Sequence, residues 1–599
     1  MGDLKFILSL VIIWFNTSIS AQNRFIADPA DWLMEMNNDL AIMNKESSEI
    51  TWANLIGEQN ISDISLELAE RSNRWRNAKC NEASENIKRW QLSAKEARMI
   101  WLLCRGPKYT PHQARLLNNL LRALSIIYND SQLCRWENTC YSIEPDLTTL
   151  MKTTRDPAQL LWAWHGWRSS TGQITYQIYP SLITLQNQAA QNNGYTDMGE
   201  CWREELEIEN LESLVEKLYK EIAPFHKLLH AYVRYHLNMF YGESNVGKMG
   251  QIPAHLLGNM WSQSWENIQD LLPVVQIDFD SILRRNTNNI NDLTKLAEDF
   301  YASLGFPKMS EKFWRYSQVT KKSNDSSCHG TAANMFNGDD FRMLLCAKIS
   351  WEDLYIIHHE MGHIHYFNAY KKQPAIFKDG ANSAFQEAIG DTIMISVESP
   401  KHLQRIGILQ NEPNEDLKIS LLLHQALKKI PQLPFGLVMD KWRWNVMASK
   451  ITPENYNKYW WHYRTLYEGI KPPVPRGKYD FDAASKFHID DNTPYIRYYL
   501  SEFLQFQLFE ELCTITFEDK PLQDWKLSEC DLYGSSKAGE KLRNLMSEGS
   551  SRPWYELLAE LTSHKKKVQI SSRSMLKYFT PLIEWLEYQI KKHDIPIGW

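Results

Sequence analysis

Hydrophobic residues recur at helical spacing along most of the chain, with polar and charged residues between them. Because apolar side chains three and four residues apart share one face of an α-helix, this pattern predicts amphipathic helices. The predicted helices cover 111–128, 211–241, 290–304, 351–370, 385–397, 417–429, 495–512 and 574–592, with further surface helices between 28 and 101. Alternation typical of strands is confined to 173–178 and 343–346. The chain is therefore predicted to be mostly α.

No linker rich in glycine, serine or proline divides the 599 residues. No repeat of roughly 20 to 50 residues, which would indicate a solenoid, is present. A hydrophobic content of 43% is sufficient for a large core. We therefore expect one large helical domain over 21–599.

The first residues have the pattern of a secretory signal peptide. Lys5 precedes the apolar run 6–15, which is too short to span a bilayer, and small residues follow up to Ala21. The alternative is a buried N-terminal helix, which we favour less. We predict a signal peptide over 1–20 and a secreted, extracellular protein without a membrane anchor.

Cysteine spacing agrees with an oxidising compartment. Among the nine cysteines, three pairs lie close enough in sequence to close short loops: Cys134–Cys140, Cys328–Cys346 and Cys513–Cys530. Cys80, Cys104 and Cys201 remain, and the odd count leaves at least one thiol free or paired outside the chain. Acceptor motifs for glycosylation begin at Asn60, Asn129 and Asn324.

The formal net charge of -6, with both signs interspersed, leaves no long basic stripe along the chain. A phosphate backbone requires such a concentration of positive charge. Nucleic acid is therefore not an expected partner.

The predicted helix at 351–370 contains the sequence His359-Glu360-Met361-Gly362-His363. Two histidines four residues apart share one helix face, where both imidazoles can bind one Zn²⁺ while the glutamate acts as a general base. A catalytic zinc site needs a third protein ligand and an open position for water.

Glu387 is the best candidate for that third ligand. It lies in the next predicted helix, which would return beside the first one if the two are antiparallel. Asp391, one turn later, is placed to accept a hydrogen bond from a ligating imidazole. His358 and His365 flank the motif on other faces and are expected to serve in packing or at the surface.

The chain resembles the angiotensin-converting enzyme family of peptidyl dipeptidases. The resemblance runs from about residue 75 to about residue 585. It includes the motifs at 358–365 and 387–391, together with 255–261, 440–444, 486–489 and 494–498. It implies a single helical ellipsoid with a deep central cleft between two subdomain halves, an N-terminal helical lid, and zinc at the bottom of the cleft.

The resemblance also implies roles for individual residues. The zinc ligands would be His359, His363 and Glu387. The catalytic groups would be Glu360, as general base and then general acid, and the oxyanion donors His488 and Tyr498. The residues that bind a short peptide with a free C-terminus would be Gln263, His329, Ala332, Lys486 and Tyr495.

Gln263 separates two activities within the family. The branch that removes single residues has an arginine at this position, so Gln263 favours release of dipeptides. Arg168, Trp460 and Arg464 match one chloride site of the family. Arg497 matches a second, at which Leu206 replaces a tyrosine partner. Ion pairs with nearby carboxylates are the alternative role for Arg168 and Arg464.

Several positions depart from the family pattern. Gln386 replaces a histidine before the third ligand, and Gly330 and Ala333 replace bulkier residues beside His329. Gln432 and Glu502 replace aromatic residues that line the pockets for the leaving dipeptide. These two changes predict weaker binding of bulky apolar C-terminal residues and a shift toward small or basic ones.

The leading interpretation is a secreted, monomeric zinc metallopeptidase that releases C-terminal dipeptides from short peptides. A second interpretation is a secreted peptide-binding or decoy protein of the same fold with weak or no activity, suggested by Gln386, Gln432 and Glu502. A third, a single-residue carboxypeptidase, is disfavoured by Gln263.

Overall fold

The computed structural model describes residues 28–58, 62–135, 139–321, 330–518, 526–562 and 568–599. The predicted signal peptide lies outside these ranges, as do Asn60, Asn324, Cys328 and His329.

The described residues are mostly helical, as predicted. The helices are α1 (Pro29–Leu55), α2 (Ser62–Asn86), α3 (Ala94–Cys104), α4 (Pro111–Asp130), α5 (Thr148–Thr153), α6 (Pro157–Gln191), α7 (Met198–Glu205), α8 (Leu211–Tyr241), α9 (Phe279–Asn286), α10 (Ile290–Ser303), α11 (Glu311–Tyr316), α12 (Trp351–Tyr370), α13 (Ser383–Val397), α14 (Pro400–Arg405), α15 (Glu415–Lys429), α16 (Gln432–Met447), α17 (Tyr456–Tyr463), α18 (Phe487–Asp490), α19 (Ile496–Thr516), α20 (Ser536–Ser547), α21 (Trp554–Leu561), α22 (Arg573–Tyr578) and α23 (Thr580–Lys592).

Short strands pair in three separate two-stranded sheets. Strands β1 (Gln132–Cys134) and β2 (Cys140–Ser142) are antiparallel, as are β4 (Thr331–Asn334) and β5 (Phe341–Leu344). Strands β3 (Ile252–Pro253) and β6 (Ile470–Lys471) are parallel. None of these pairs is long enough to organise the fold, so the helices determine the architecture.

One continuous apolar core extends from Leu124 in α4 to Ile595 after α23. Helix α13 lies in its middle and packs against both α12 and α19. Fully buried tryptophans from distant segments, including Trp164, Trp167, Trp265 and Trp442, fill this core. The elements that carry the predicted site are therefore held by the most deeply buried part of the molecule.

The first three helices form a smaller core of their own. Trp32, Met36, Met99 and Leu103 pack together there and meet Phe377 of the body. A disulfide bond between Cys80 and Cys104 joins α2 to α3. The helices predicted between 28 and 101 are thus present. They pack on the rest of the protein as a layer with its own hydrophobic core.

A second contact joins this N-terminal layer to the body at the β4–β5 hairpin. There Trp52 of α1 packs against Met335 and Leu344, and the Arg342 guanidinium lies 5.3 Å from the centre of the Trp52 ring. The layer therefore packs on the hairpin whose first strand carries Ala332.

The predicted bonds Cys134–Cys140 and Cys513–Cys530 are present. Cys346 is also disulfide-bonded. The Cys80–Cys104 bond leaves Cys201 as a free, buried thiol. Asn129 is exposed near the end of α4, and its glycosylation stays a prediction.

The strand predicted at 173–178 is wrong, because these residues lie inside α6. Ile174, Tyr176 and Ile178 alternate with polar residues, which suggested a strand. The buried residues Thr171, Thr175 and Tyr179 nevertheless follow helical spacing, and Ile174 is exposed. Gly172 lets α6 approach the backbone at Asp480 closely, since a Cβ on Gly172 would lie 2.0 Å from Asp480 O. Among the described residues, no helix is long and apolar enough to cross a membrane.

Candidate metal centre and peptide site

The two helices that carry the predicted metal ligands begin at capping side chains. Ser350 Oγ accepts a hydrogen bond from Asp353 N at 3.1 Å, and so begins α12. Asn382 Oδ1 accepts one from Phe385 N at 3.0 Å, and so begins α13. Such caps satisfy N–H groups that have no partner within the helix. They fix where each helix starts and therefore which face each ligand occupies.

Two glycines allow α12 and α13 to pack unusually closely. A Cβ on Gly362 would lie 2.6 Å from Gly390 Cα, and a Cβ on Gly390 would lie 2.5 Å from His359 Cα. No side chain fits at either position without moving a backbone. This close approach brings the ligand of α13 within reach of the two histidines of α12.

The three predicted ligands converge. His359 Nε2 lies 3.1 Å from His363 Nε2 and 3.4 Å from Glu387 Oε2, while His363 Nε2 lies 3.8 Å from Glu387 Oε2. Tetrahedral zinc, with bonds of about 2.0–2.1 Å, requires ligand atoms about 3.3 Å apart. Among the described residues, no other group of three or more histidine, cysteine or carboxylate side chains lies close enough together to hold one ion. The residues fit zinc.

Asp391 orients the first histidine. Its Oδ1 lies 2.8 Å from His359 Nδ1, which leaves Nε2 directed toward the other ligands. Lys429 of α15 lies 3.7 Å from Asp391 Oδ2 and 3.5 Å from Glu502 Oε2. Because Lys429 is only 2% exposed, its charge is balanced by these carboxylates within the protein.

The two flanking histidines have packing roles. His358 is buried, and its Nδ1 lies 2.8 Å from Leu354 O. The His365 ring packs 4.4 Å from that of Tyr301 and 4.9 Å from that of Phe306. Burial lowers the pKa of His358 to about 4 and that of His365 to about 3, so both are neutral at physiological pH.

Glu360 is 7% exposed. A Cβ on Gly330, the residue directly before β4, would come 3.3 Å from Glu360 Oε1, so the carboxylate faces the start of this strand. Ala332 follows on β4, partly buried and paired with Met343. The Glu360 carboxylate therefore lies between the start of β4 and His359, whose pKa its charge helps to raise.

Tyr498 and His488 lie side by side near these carboxylates. Their ring centres are 5.4 Å apart with the planes at 90°. Burial raises the pKa of the Tyr498 phenol well above its usual value, and the charges of Glu387 and Glu360 raise it further. Tyr498 is therefore a neutral hydrogen-bond donor beside the metal site.

Lys486 is buried beneath two tryptophans. Trp261 Nε1 and Trp167 Nε1 both donate to Ser485 O, at 2.6 and 3.2 Å, which fixes the backbone just before the lysine. The ammonium lies 4.1 Å from the centre of the Trp261 ring. Burial lowers the pKa of Lys486 to about 8, and Glu144 offsets this only in part.

Tyr495 lies next to Lys486 and completes a group of polar side chains there. The Lys486 Nζ atom is 5.8 Å from the Tyr495 ring centre. Gln432 Nε2 donates to the Tyr495 hydroxyl at 2.9 Å. Burial raises the pKa of Tyr495, while hydrogen bonds from Gln432 and Gln263 act in the opposite direction. Lys486, Tyr495 and Gln263 are thus brought together.

The structure gives Arg464 an ion-pair partner within the protein. Both Arg464 Nε and Nη2 donate to the Glu468 carboxylate at 2.7 Å. Arg168 donates instead to the Met260 and Trp164 carbonyls, at 2.9 and 3.2 Å. The ion-pair alternative therefore holds for Arg464. A chloride ion at Arg168 and Trp460, or at Arg497, stays a prediction.

Several residues that shape the site were not identified from the sequence. Lys429 had no signal beyond its place at the end of an amphipathic helix. Asp440 and Arg443 were noted only as part of a family motif, although their spacing of three permits an ion pair on one helix face. Gly362 and Gly390 stand inside the two metal motifs, and that position was a usable signal for close helix packing.

Comparison with known proteins agrees with this geometry. The family model described as "Angiotensin-converting enzyme" matches residues 26–599. The angiotensin-converting enzyme of Mesocricetus auratus is 40% identical over 82% of this chain. That of Theromyzon tessulatum is 40% identical over 79%, and the "angiotensin-converting enzyme-like protein Ace3" of Mus musculus is 41% identical over 80%.

The matched region makes up a different fraction of the length of each relative. It is 37% of the length of the Mesocricetus auratus protein, 65% of Ace3 and 77% of the Theromyzon tessulatum protein. The family match, in contrast, covers nearly all of this chain. Together with the converging His359, His363 and Glu387, it shows that the chain belongs to the angiotensin-converting enzyme family of metallopeptidases.

Proposed function

We propose that this protein is a secreted zinc peptidase that removes dipeptides from the C-terminus of short peptides. The observation that supports this most directly is the convergence of His359, His363 and Glu387 with Glu360 beside them. The buried Lys486 and Tyr495 add a place for a substrate carboxylate.

A zinc ion held by the three ligands would polarise the scissile carbonyl and lower the pKa of a water molecule. Glu360 would serve as the proton acceptor during attack and then as the proton donor to the leaving amine. The closeness of Glu360 to Gly330, directly before β4, supports a peptide bound along the strand that carries Ala332. The resemblance adds His329 to these contacts.

Tyr498 and His488 stabilise the negative charge that develops on the carbonyl oxygen. Tyr498 remains protonated because burial and the neighbouring carboxylates raise its pKa. A donor fixed where charge develops contributes more than one in water, because the surrounding protein does not need to reorganise. We assign both residues to the oxyanion.

Lys486, Tyr495 and Gln263 bind the free carboxylate of the leaving dipeptide. The ammonium supplies positive charge, while the phenol and the amide supply directed hydrogen bonds. An arginine in place of Gln263 would belong to the single-residue carboxypeptidase branch. The residues present therefore favour dipeptide release.

Binding of the substrate carboxylate should depend on the charge of Lys486. Its pKa of about 8 means that the free enzyme loses this charge as the pH rises above that value. We expect KM for a peptide with a free C-terminus to rise between pH 8 and pH 9.5, by up to about tenfold per pH unit. The same peptide with a C-terminal amide serves as the control, and an equal rise in its KM would contradict this role of Lys486.

Glu502 and Gln432 should shift the choice of the C-terminal residue. Glu502 accepts a hydrogen bond from Gln505 Nε2 at 2.7 Å, and burial raises its pKa to about 7. Gln432 contacts the Tyr495 hydroxyl, and the charge of Glu502 helps to raise the pKa of the same phenol. Two polar groups near Tyr495 offer little apolar contact to a bulky side chain. We expect kcat/KM for a peptide ending in Arg to exceed that for the matched peptide ending in Phe.

The variant Glu502→Phe tests that preference, because it replaces the carboxylate with apolar area. We expect it to change the ratio of kcat/KM between the two peptides by about tenfold toward Phe, as expected for one apolar contact of about 1–3 kcal/mol. A wild-type preference for Phe that Glu502→Phe leaves unchanged would refute the assignment.

The second candidate function is a peptide-binding decoy, which the polar residues Gln386, Gln432 and Glu502 suggested. Turnover of a short acylated tripeptide separates the two candidates. We expect turnover that chelation abolishes and zinc restores. Zinc-loaded protein that binds peptides without cleaving any member of a peptide library would support the decoy.

We further propose that the protein is an extracellular monomer. The disulfide bonds at Cys80–Cys104, Cys134–Cys140 and Cys513–Cys530 support an oxidising compartment.

We also propose that chloride bound beside Arg168 and Trp460 modulates the activity. Measuring the activity as sodium chloride replaces another salt at constant ionic strength tests this chloride dependence, because only a specific site responds to the identity of the anion.

A further inference from the structure

A fully buried ion pair on α16 contacts two separate parts of the peptide site. Arg443 Nε donates to Asp440 Oδ1 at 2.8 Å, and both side chains are 0% exposed. The second carboxylate oxygen, Asp440 Oδ2, accepts hydrogen bonds from Tyr495 N and Ile496 N, each at 2.7 Å. Arg443 Nη1 donates to His488 O at 2.9 Å.

These contacts fall on the segments that present the substrate-binding groups. Tyr495 and Ile496 form the start of α19, whose first N–H groups have no partner inside the helix. Asp440 therefore caps α19 from a different helix, and its negative charge lies at the positive end of that helix dipole. Tyr498 follows in the first turn and donates its N–H to Tyr495 O at 3.0 Å.

We propose that Asp440 and Arg443 are positioning residues that hold the carboxylate-binding Tyr495 and the oxyanion donors His488 and Tyr498 in one fixed arrangement. This inference rests on the proposed function, since it assigns the pair a role in that reaction. Asp440 sets the start of α19, and Arg443 sets the backbone of α18 against it. Recognition of the C-terminus and stabilisation of the oxyanion thus depend on the same pair.

The energetics favour such a role over a simple contribution to stability. Removing two charges from water is costly, and well-packed apolar residues commonly serve a core equally well. An apolar pair, however, could not accept the N–H groups of Tyr495 and Ile496 or donate to His488 O. The ion pair satisfies these groups and fixes their direction.

The substitution Asp440→Asn tests the proposal with little change in volume. The amide would place a donor opposite either Arg443 or the N–H groups of α19, so one side loses its acceptor. We expect kcat for an acylated tripeptide to fall about 100-fold, as a displacement near 1 Å of catalytic groups produces. We also expect KM to rise and the preference for a free acid over a C-terminal amide to shrink.

Zinc content and thermal unfolding of the same variant separate positioning from general stability. The pair makes none of its hydrogen bonds to the metal ligands, so Asp440→Asn should retain one zinc per chain. The matched control is Lys441→Met. Lys441 lies next to Asp440 on α16, and its ion pair is with Glu216 of α8. We expect this control to keep wild-type kcat and KM.

A zinc-loaded, folded Asp440→Asn protein with wild-type kcat, KM and acid preference would overturn the inference. If Asp440→Asn does not fold, Arg443→Lys decides, because a lysine keeps the charge but cannot contact Asp440 and His488 O together in the same geometry. Wild-type kinetics in folded Arg443→Lys would equally overturn it. A wild-type protein without turnover would instead refute the proposed function, and this role with it.

Discussion

Glu360→Gln should reduce kcat of the zinc-loaded protein by about 10²–10⁴-fold, the usual contribution of a general base. The amide has the size of the carboxylate but cannot accept a proton. Glu360 is 7% exposed and directed toward Gly330 on the side of β4, and it is not one of the three converging ligands. Zinc content should therefore remain unchanged, and KM should change little.

The matched control for this experiment is Glu352→Gln. Glu352 lies on the same helix, α12, where it forms an exposed ion pair with Lys152 at 2.7 Å. We expect this variant to retain wild-type kcat. If Glu360→Gln kept more than about a tenth of wild-type kcat, well above the range expected for loss of a general base, Glu360 would not be the proton acceptor.

Gly390→Ala should remove most zinc binding without altering any ligand. The added Cβ would lie 2.5 Å from His359 Cα and O, so α12 and α13 must separate. Glu387 lies on α13, and a shift of that helix moves its carboxylate away from both histidines. We expect zinc affinity to fall more than about 100-fold, beyond the loss that follows from perturbing a residue that only orients a ligand. Activity should fall in proportion.

Gly477→Ala provides the control, because a Cβ at that position would meet only Asp480 Oδ2 at an ordinary 3.7 Å. Zinc binding can be measured by competition with a chromophoric chelator, and folding by circular dichroism. A folded Gly390→Ala protein with wild-type zinc affinity would show that the close helix packing is not what assembles the ligands.

The helices that carry the site were predictable because their apolar periodicity is strong. The predicted segments 351–370 and 385–397 match α12 and α13 closely. The metal motif then placed His359 and His363 on one face, and the short connection predicted that Glu387 returns beside them. These inferences depend on local spacing, which a single sequence records directly.

Contacts between distant segments were not predictable in this way. The sequence suggested a strand at 173–178 because Ile174, Tyr176 and Ile178 alternate with polar residues, whereas these residues lie inside the long helix α6. The bond Cys80–Cys104 and the pairing of Lys429 with Glu502 likewise depend on how helices meet. Neither follows from the periodicity of any one helix.

The lid could be inferred only from family resemblance. The sequence between 28 and 101 predicts charged surface helices, yet Trp32, Met36 and Met99 belong to a separate core. A layer of this kind would exclude folded proteins and admit short peptides. This agrees with the proposal that the buried Lys486 binds the C-terminus of a short peptide.

The masses of the products released from a mixture of short peptides test the central claim most directly. With zinc-loaded protein, the account predicts release of dipeptides from free C-termini, loss of all products on chelation, and their return when zinc is restored. Release of single C-terminal residues, or products that persist without the metal, would contradict it.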